Sequence, residues 1–413
     1  MKKILLFVAM ALQIVMANAF EGNVEIDGIN YYILTKAAYA EVVSKNSGYV
    51  GDVVIPETVE YDGVVCTVKK IGNRAFNCDT KLISVSIPNT VSEIGYEVFN
   101  TCSQLNTVYI PCSVKKMGSR AFYACKALDK VMTDDLKSWC EMEIEDDANP
   151  LQYADHFIVA DEEVIDLVIP ETITSIADRA FHGYKGLKSI TIGNFVSYIG
   201  DYAFYGCTEL KTAKTSGANL EIGNAAFYEC TALTELTISD GVSKIGTNCF
   251  SGCVGITDLS IPNSVVVIDA KAFYGCNNLK TIKIGSGLEY IGINAFSKCT
   301  ELTDLYCFAE NPPTMGRIYP DNLNPFKYSY AEYATLHVPE TSVSAYQNNK
   351  IWNIFGKIVA LTSDETDIEY VKNNSNVSEC VRYTLGGQVL KSAQKGINII
   401  RMSDGTTKKV LNK

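Results

Sequence analysis

The sequence predicts a repeat solenoid, mainly β, followed by a small β-hairpin module. Three observations predict it. A phenylalanine recurs at one spacing through most of the chain. Apolar residues two apart follow it at a fixed interval, which is a strand signal. A Pro or Gly then ends each such segment and turns the chain.

The first element is a leader. Met1–Ala19 has a basic start (Lys2, Lys3), an apolar run from Ile4 to Met16 and the small-residue pattern Ala17-Asn18-Ala19, the marks of a secretory signal peptide cut before Phe20. The apolar run is shorter than the roughly 20 residues that span a bilayer, so no membrane span is expected in the mature chain. Residues 20–52 precede the periodic region and are assigned as its N-terminal cap, because the open end of a stacked fold needs cover.

Residues 53–310 hold the repeats. Phe76, Phe99 and Phe122 are 23 residues apart, and Phe181, Phe204, Phe227, Phe250, Phe273 and Phe296 resume the same step. Six residues after each Phe stands Leu or Ile, as at Leu82, Leu210 and Ile256, and an apolar pair follows, as at Val85 with Ile87 or Leu259 with Ile261. Each unit therefore reads Leu-x-x-Leu-x-Ile-Pro, a turn, an apolar Val, an Ile-Gly pair, then Ala-Phe-x-x-Cys. One unit has too few apolar groups to bury itself, whereas stacked copies share a continuous core. At about 4.8 Å per neighbouring strand, ten to twelve coils make a column and not a sphere.

These units resemble the 23-residue leucine-rich repeats of the BspA-like family of bacterial and protozoan surface proteins, over roughly residues 50–310. The resemblance implies a right-handed superhelix with short helical turns and a parallel sheet on its inner face, built from the Leu-x-x-Leu-x-Ile segments. It also implies export, and adhesion to or binding of host or partner proteins.

Fifty-nine residues separate Phe122 from Phe181. The interval reads as one enlarged coil near 133–163, with Trp139, Cys140, the acidic run Glu141–Asp147 and Asn149-Pro150 in a loop that projects from the rod. Such a loop either carries binding or is a tolerated surface loop pinned by Trp139. From Tyr306 the period fails. Residues 311–361 are assigned as the C-terminal cap, with a last strand at Leu336–Pro339 and an amphipathic helix over Ser344–Phe355.

Residues 362–413 differ again. Gly386-Gly387 and Ser403-Asp404-Gly405 each lie between apolar runs, a hairpin signal twice over. This tail carries about +2 while the rest of the mature chain carries about −15. Tyr383-Thr384-Leu385-Gly386-Gly387-Gln388 and Gly396–Ile400 are similar to C-terminal sorting segments of exported Bacteroidetes proteins, although the tail is shorter than a full domain of that kind. A plain hairpin module is the alternative. The sequons at Asn373 and Asn376 read as chance.

A formal charge of −11 works against nucleic acid and anionic lipid, which reward clustered Lys and Arg. The three His (His156, His182, His337) are far apart, and no phosphate loop, His-Glu-x-x-His segment or Ser-His-Asp set stands out. No cofactor or metal is expected. Cys recurs three residues after the Phe, as at Cys102, Cys125, Cys207, Cys230, Cys253, Cys276 and Cys299. Its reading is a file of small buried thiols, with disulfides between neighbours as the alternative in an oxidising exterior.

The candidate binding residues lie on the surface. Thr107, Tyr109, Thr191, Thr237, Ser260, Lys283 and Tyr306 point outward from the strands as a hydroxyl-rich plane. Tyr123, Tyr205, Tyr228 and Tyr274 form a second file after the Phe. Tyr suits binding surfaces, and stacked Tyr rings equally cover one another. Trp139 completes the set. The reading is a non-catalytic exported scaffold for a host or partner extracellular protein or glycan. A laterally assembling envelope component is the second reading, and an exported enzyme using the Trp139 loop or the Cys file is the third.

Overall fold

The computed structural model describes residues 19–217, 219–315 and 324–362, together with the backbone of four strands between Glu379 and Asn412. All of the expected leader except Ala19, both sequons and the turns at Gly386-Gly387 and Ser403-Asp404-Gly405 lie outside the described residues. Two compact units divide the chain at Val359/Ala360.

In the first unit each coil has three sides. The Leu-x-x-Leu-x-Ile segment forms a parallel strand, so that Leu259, Ile282, Leu305 and Leu336 lie in register across four coils and all face the core. A second side comes from the Ile-Gly pair. Short strands such as Tyr198–Ile199, Leu220–Ile222, Val242–Ile245, Val267–Ile268 and Tyr290–Ile291 ladder into a second parallel sheet, where the sequence reading placed only one. Gly is needed here because coils close tightly: a Cβ on Gly246 would lie 2.7 Å from the backbone of Gly223.

The third side carries the Phe. It consists of successive hydrogen-bonded turns where short helical turns were expected. Two residues per coil there adopt left-handed backbone, as at Asn248 (φ 56°) and Gly252 (φ 77°), which reverses the chain twice in four residues. Even this side is laddered between coils: Phe250 N–H donates to Ala272 O at 2.7 Å and Gly252 N–H to Tyr274 O at 2.8 Å. Where the ladders run unbroken, backbone groups are thus paired between coils on all three sides.

The Phe rings form one stack in each part of the column, with centroids 4.8–5.3 Å apart from Phe76 to Phe122 and from Phe181 to Phe296. Beside them runs the Cys file. Each thiol donates to the Phe carbonyl of the preceding coil, as Cys125 Sγ to Phe99 O at 3.0 Å and Cys253 Sγ to Phe227 O at 3.1 Å. Tyr184 occupies this place in its coil, and its hydroxyl donates to Val164 O at 2.7 Å.

The interval 133–163 corrects the expectation of one coil with a projecting loop. It holds two lengthened steps: Ile144 pairs with Met117 27 residues earlier, and Ile176 comes 32 residues after Ile144. A helix, Leu136–Cys140, opens it; Asp135 caps the helix by accepting from Ser138 N–H. Trp139 is fully buried, its ring 4.7 Å from Phe157, which meets Phe181 edge-on at 6.2 Å. These two rings extend the aromatic core beyond Phe181 into the lengthened stretch. Both ladders stop here: the sheet ending in Glu143–Ile144 does not pair with Ser175–Ile176, and the one ending in the hairpin His156–Val159/Glu162–Glu163 does not pair with Asp166–Val168.

At the N-terminal end Glu21–Ile26, Ile29–Leu34 and Tyr39–Val42 form a meander, the last strand parallel to Val64–Ile71. The first strand of the Leu-x-x-Leu-x-Ile face, Val50–Val54, pairs with Lys81–Ser86 and so begins before residue 53. At the other end Thr335–Val338 adds a strand and Lys357–Ala360 adds one more, beyond the strand expected to be last. The helix expected over Ser344–Phe355 is limited to Val343–Gln347, because the chain must turn at once to bury Trp352 and Phe355 against Phe326. In the second unit Glu379–Thr384 pairs antiparallel with Val389–Leu390 and Gly396–Met402, and the latter with Thr407–Asn412.

Candidate binding surfaces

The outward strand residues fall into three groups, because the sheet that carries them is interrupted twice. Thr107 and Tyr109 stand on the first segment, Thr191 and Thr237 flank Lys214 on the second, and Ser260, Lys283 and Tyr306 lie in register on the third. All but the exposed Lys214 are half-buried. Their chemistry is partly engaged within the fold. Tyr109 donates its hydroxyl to the Asp134 carboxylate, and burial together with that carboxylate pushes its phenol well above the ordinary value. Hydroxyls in the neighbouring row pair with carboxylates one coil away, as Ser189 with Asp166 at 2.5 Å. On the third segment Lys283 Nζ lies 5.8 Å over the Tyr306 ring, which stacks on His337 at 4.3 Å.

The tyrosine file resolves into covered rings. His182, Tyr205 and Tyr228 stack face to face at 4.9 Å, so their edges and hydroxyls, not their faces, are offered to a partner. Tyr123 and Tyr274 stand apart from this stack, each against a cation, Arg120 at 5.8 Å and Lys298 at 5.0 Å. Trp139 leaves the candidate set altogether. It is core, and its indole Nε1–H donates to Ala180 O at 2.7 Å. Burial pushes the Cys125 thiol up to about 12 and the Cys307 thiol up to about 11, which suppresses thiolate chemistry at these two.

The acidic run noticed in the sequence has a consequence its spacing did not show. A cleft of about 630 Å³ opens where the second ladder stops, between Glu141–Asp146 on one wall and Ala177–Arg179 on the other. Lys116 bridges Glu143 and Glu145 at 2.7 Å each. That ion pair, with the Ser119 hydroxyl and amide, draws the Glu145 carboxyl down to about 2. Arg179 pairs with Asp146 and lies 5.1 Å over the Tyr202 ring. A second feature absent from the reading is the trio Tyr328, Tyr330 and Tyr333, exposed by 62, 53 and 84 %. Their signal, three Tyr in six residues, is visible once the last coil is known to end there.

Among the described residues no group of three His, Cys, Asp or Glu could hold a metal ion, and no helix is long and apolar enough to cross a membrane.

Comparison with known proteins follows the same lines. No curated protein matches the chain. Among solved structures, a leucine rich cell surface protein from Faecalibacterium prausnitzii shares 23 % identity over 87 % of this chain and 98 % of its own, with a TM-score of 0.46. A leucine-rich repeat protein from Bacteroides ovatus shares 21 % over 76 % and 99 %, with a TM-score of 0.37. The pneumococcal vaccine antigen PcpA shares 14 % over 84 % and 100 %, with a TM-score of 0.46. The family model for the BspA type leucine rich repeat region matches in six copies, over residues 65–141, 157–253 and 220–316. With more than half its length matched in this way, and with the Phe, Cys and Ile files stacked coil on coil, the chain belongs to the BspA-type leucine-rich repeat family.

Proposed function

We propose that this chain is an exported, surface-associated recognition scaffold that binds an extracellular protein or glycan and performs no catalysis. One observation carries the reading. Parallel ladders hold the half-buried Thr191 and Thr237 and the exposed Lys214 in fixed register, while the main-chain donors are engaged between coils. A partner therefore meets an ordered face of side chains whose positions need no reorganisation on binding, the condition under which modest contacts give affinity. The leader pattern supports export, and an acidic chain with a hydroxyl-rich face suits polar contact more than polyanion capture. The tail is proposed as the segment that serves delivery or attachment.

The test is saturable binding of the chain without its leader to a panel of immobilised extracellular matrix proteins and glycans. Replacement of Lys214 and Thr237 by Glu is expected to weaken such binding at least tenfold with the fold intact by circular dichroism. Concentration-dependent association in light scattering, with no saturable partner, would favour the structural reading instead.

A further inference from the structure

The last coil of the Phe side ends in an exposed patch of rings and cations. Phe326 extends the stack beyond Phe296, with centroids 5.7 Å apart, and Lys298 N–H donates to Lys327 O at 3.0 Å, so residues 324–333 continue that side by one more turn. Tyr328 then stands two residues after its Phe, the left-handed place that Gly183, Gly206, Gly252 and Gly275 fill in other coils. Tyr328 adopts φ 61° and Tyr330 φ 56°, a backbone that bulky residues ordinarily avoid and that clusters at ligand sites. Between them Ser329 is fully buried, and its hydroxyl donates to Phe326 O at 2.6 Å. The loop is thereby pinned from inside while both rings face solvent.

Two differences set this patch apart from the tyrosines of the middle coils. Among the described residues Tyr328, Tyr330 and Tyr333 stack on no other ring, whereas Tyr205 is covered by His182 and Tyr228. The cations are also uncommitted: among the described residues neither Lys298 nor Lys327 makes an ion pair. Their ammonium groups sit on phenol rings instead, Lys298 at 5.0 Å over Tyr274 and Lys327 at 4.8 Å over Tyr328. The Tyr274 phenol, and after it that of Tyr328, hold the Lys298 pKa above its ordinary value, which ties both tyrosines to one cation.

We propose that this end of the column binds an anionic glycan of low charge density, one with about one carboxylate per disaccharide. The C–H face of a pyranose ring is apolar and faintly positive, so it packs on the negative face of a phenol ring, and the phenol hydroxyls meet sugar hydroxyls at the rim. Lys298 and Lys327 supply the complementary charge for a carboxylate. Glu332, exposed on the same turn, and the net charge of −11 weigh against a densely sulfated chain. Residues 324–333 expose no Val, Ile, Leu or Phe beside the rings, so the apolar core that a protein interface needs is missing, and sugar is selected over peptide. The inference rests on the scaffold reading and places a ligand on a surface remote in sequence from Thr191, Lys214 and Thr237.

The probe is an end-labelled hyaluronan octasaccharide, titrated with the full chain by fluorescence anisotropy. Saturable one-to-one binding is expected, at least tenfold weaker once the carboxylates of the octasaccharide are reduced to alcohols. Tyr328→Gly installs the residue that this backbone favours, so melting is expected at the same temperature or higher while binding weakens at least fivefold. Lys298→Gln with Lys327→Gln is expected to weaken it at least fivefold as well. No binding of the octasaccharide, equal binding of its reduced form or of a (Glu-Gly)8 peptide, or an affinity unmoved by Tyr328→Gly overturns the proposal. A heparin octasaccharide that binds more tightly and ignores Tyr328→Gly would reduce the patch to plain charge attraction and overturn it too. A matrix partner held through Lys214 and Thr237, with no hyaluronan binding, would leave the scaffold reading standing and sink this one. Hyaluronan held through Tyr328 and Lys298, with no partner sensitive to Lys214 and Thr237, would support this patch and sink the ordered face.

Discussion

The coils from Phe181 to Phe296 and the stretch from Lys130 to Tyr184 solve the same stacking problem by different means. In the regular coils like residues lie on like, so interface after interface repeats the same Phe stack and thiol bond, and the Ile-Gly ladder runs through them even where the sheet of the Leu-x-x-Leu-x-Ile face breaks between Glu235–Thr237 and Asp258–Ile261. In the lengthened stretch side chains do the work of main chain. Ala180 O, whose counterpart Ala203 O accepts from Phe181 N–H, receives the Trp139 indole and the Asn149 amide, at 2.7 and 3.0 Å. Ala124 N–H finds the Tyr153 hydroxyl at 2.9 Å where Thr101 N–H finds a backbone carbonyl. Repetition thus gives robustness through redundancy, whereas the irregular joint depends on a few residues with no substitutes nearby.

That contrast can be broken most sharply by Phe250→Ala, which removes a buried ring stacked on both sides. It should cost about 3–5 kcal/mol in chemical denaturation, and an unchanged midpoint would place that ring outside the column. Asn149→Ala at the joint should cost about 1–3 kcal/mol, because the buried Leu151 N–H loses its acceptor while Arg179 O and Ala180 O each lose one of two donors. Native-state hydrogen exchange of that variant should show the amides on the two sides of the joint opening with different free energies, as expected of one-dimensional arrays with a weak interface. Equal protection on both sides would show the joint to be as cooperative as the coils. Cys253→Ala, which deletes one thiol donor among many, should cost only about 1 kcal/mol. The smallest effect is in acid. Glu145 is held near 2 against an ordinary 4.5, so its contribution is present above pH 4.5 and fades as pH falls from there toward 2. Lys116→Met should flatten that part of the stability profile.

The column was legible because its cause is local and repeated. A Phe every 23 residues can stack only if the coils stack, so Phe250 and Leu259 announced their own burial. The second sheet was harder to see, since two-residue strands such as Val267–Ile268 have too short a period to read. The joint escaped because its contacts are made once. Trp139 looked exposed since it lies in an acidic, Pro-bearing interval, yet its partner Ala180 is 41 residues away. The candidate face was visible as outward positions, but the pairing of Ser189 with Asp166 and of Tyr109 with Asp134 depends on register between coils. The cleft is the extreme case, for it exists through a bond that the chain does not make.

The thiol that each coil extends to the Phe carbonyl before it also makes the array modular. A coil inserted among residues 187–300 would bring its own ring, sulfur and rungs and would find their partners already in place above and below it. Reach along the axis can therefore change in whole increments of 23 residues with no redesign of either end, a built-in ruler for matching partners of different size. The joint, fitted to one neighbour on each side, is the mark from which that ruler is read.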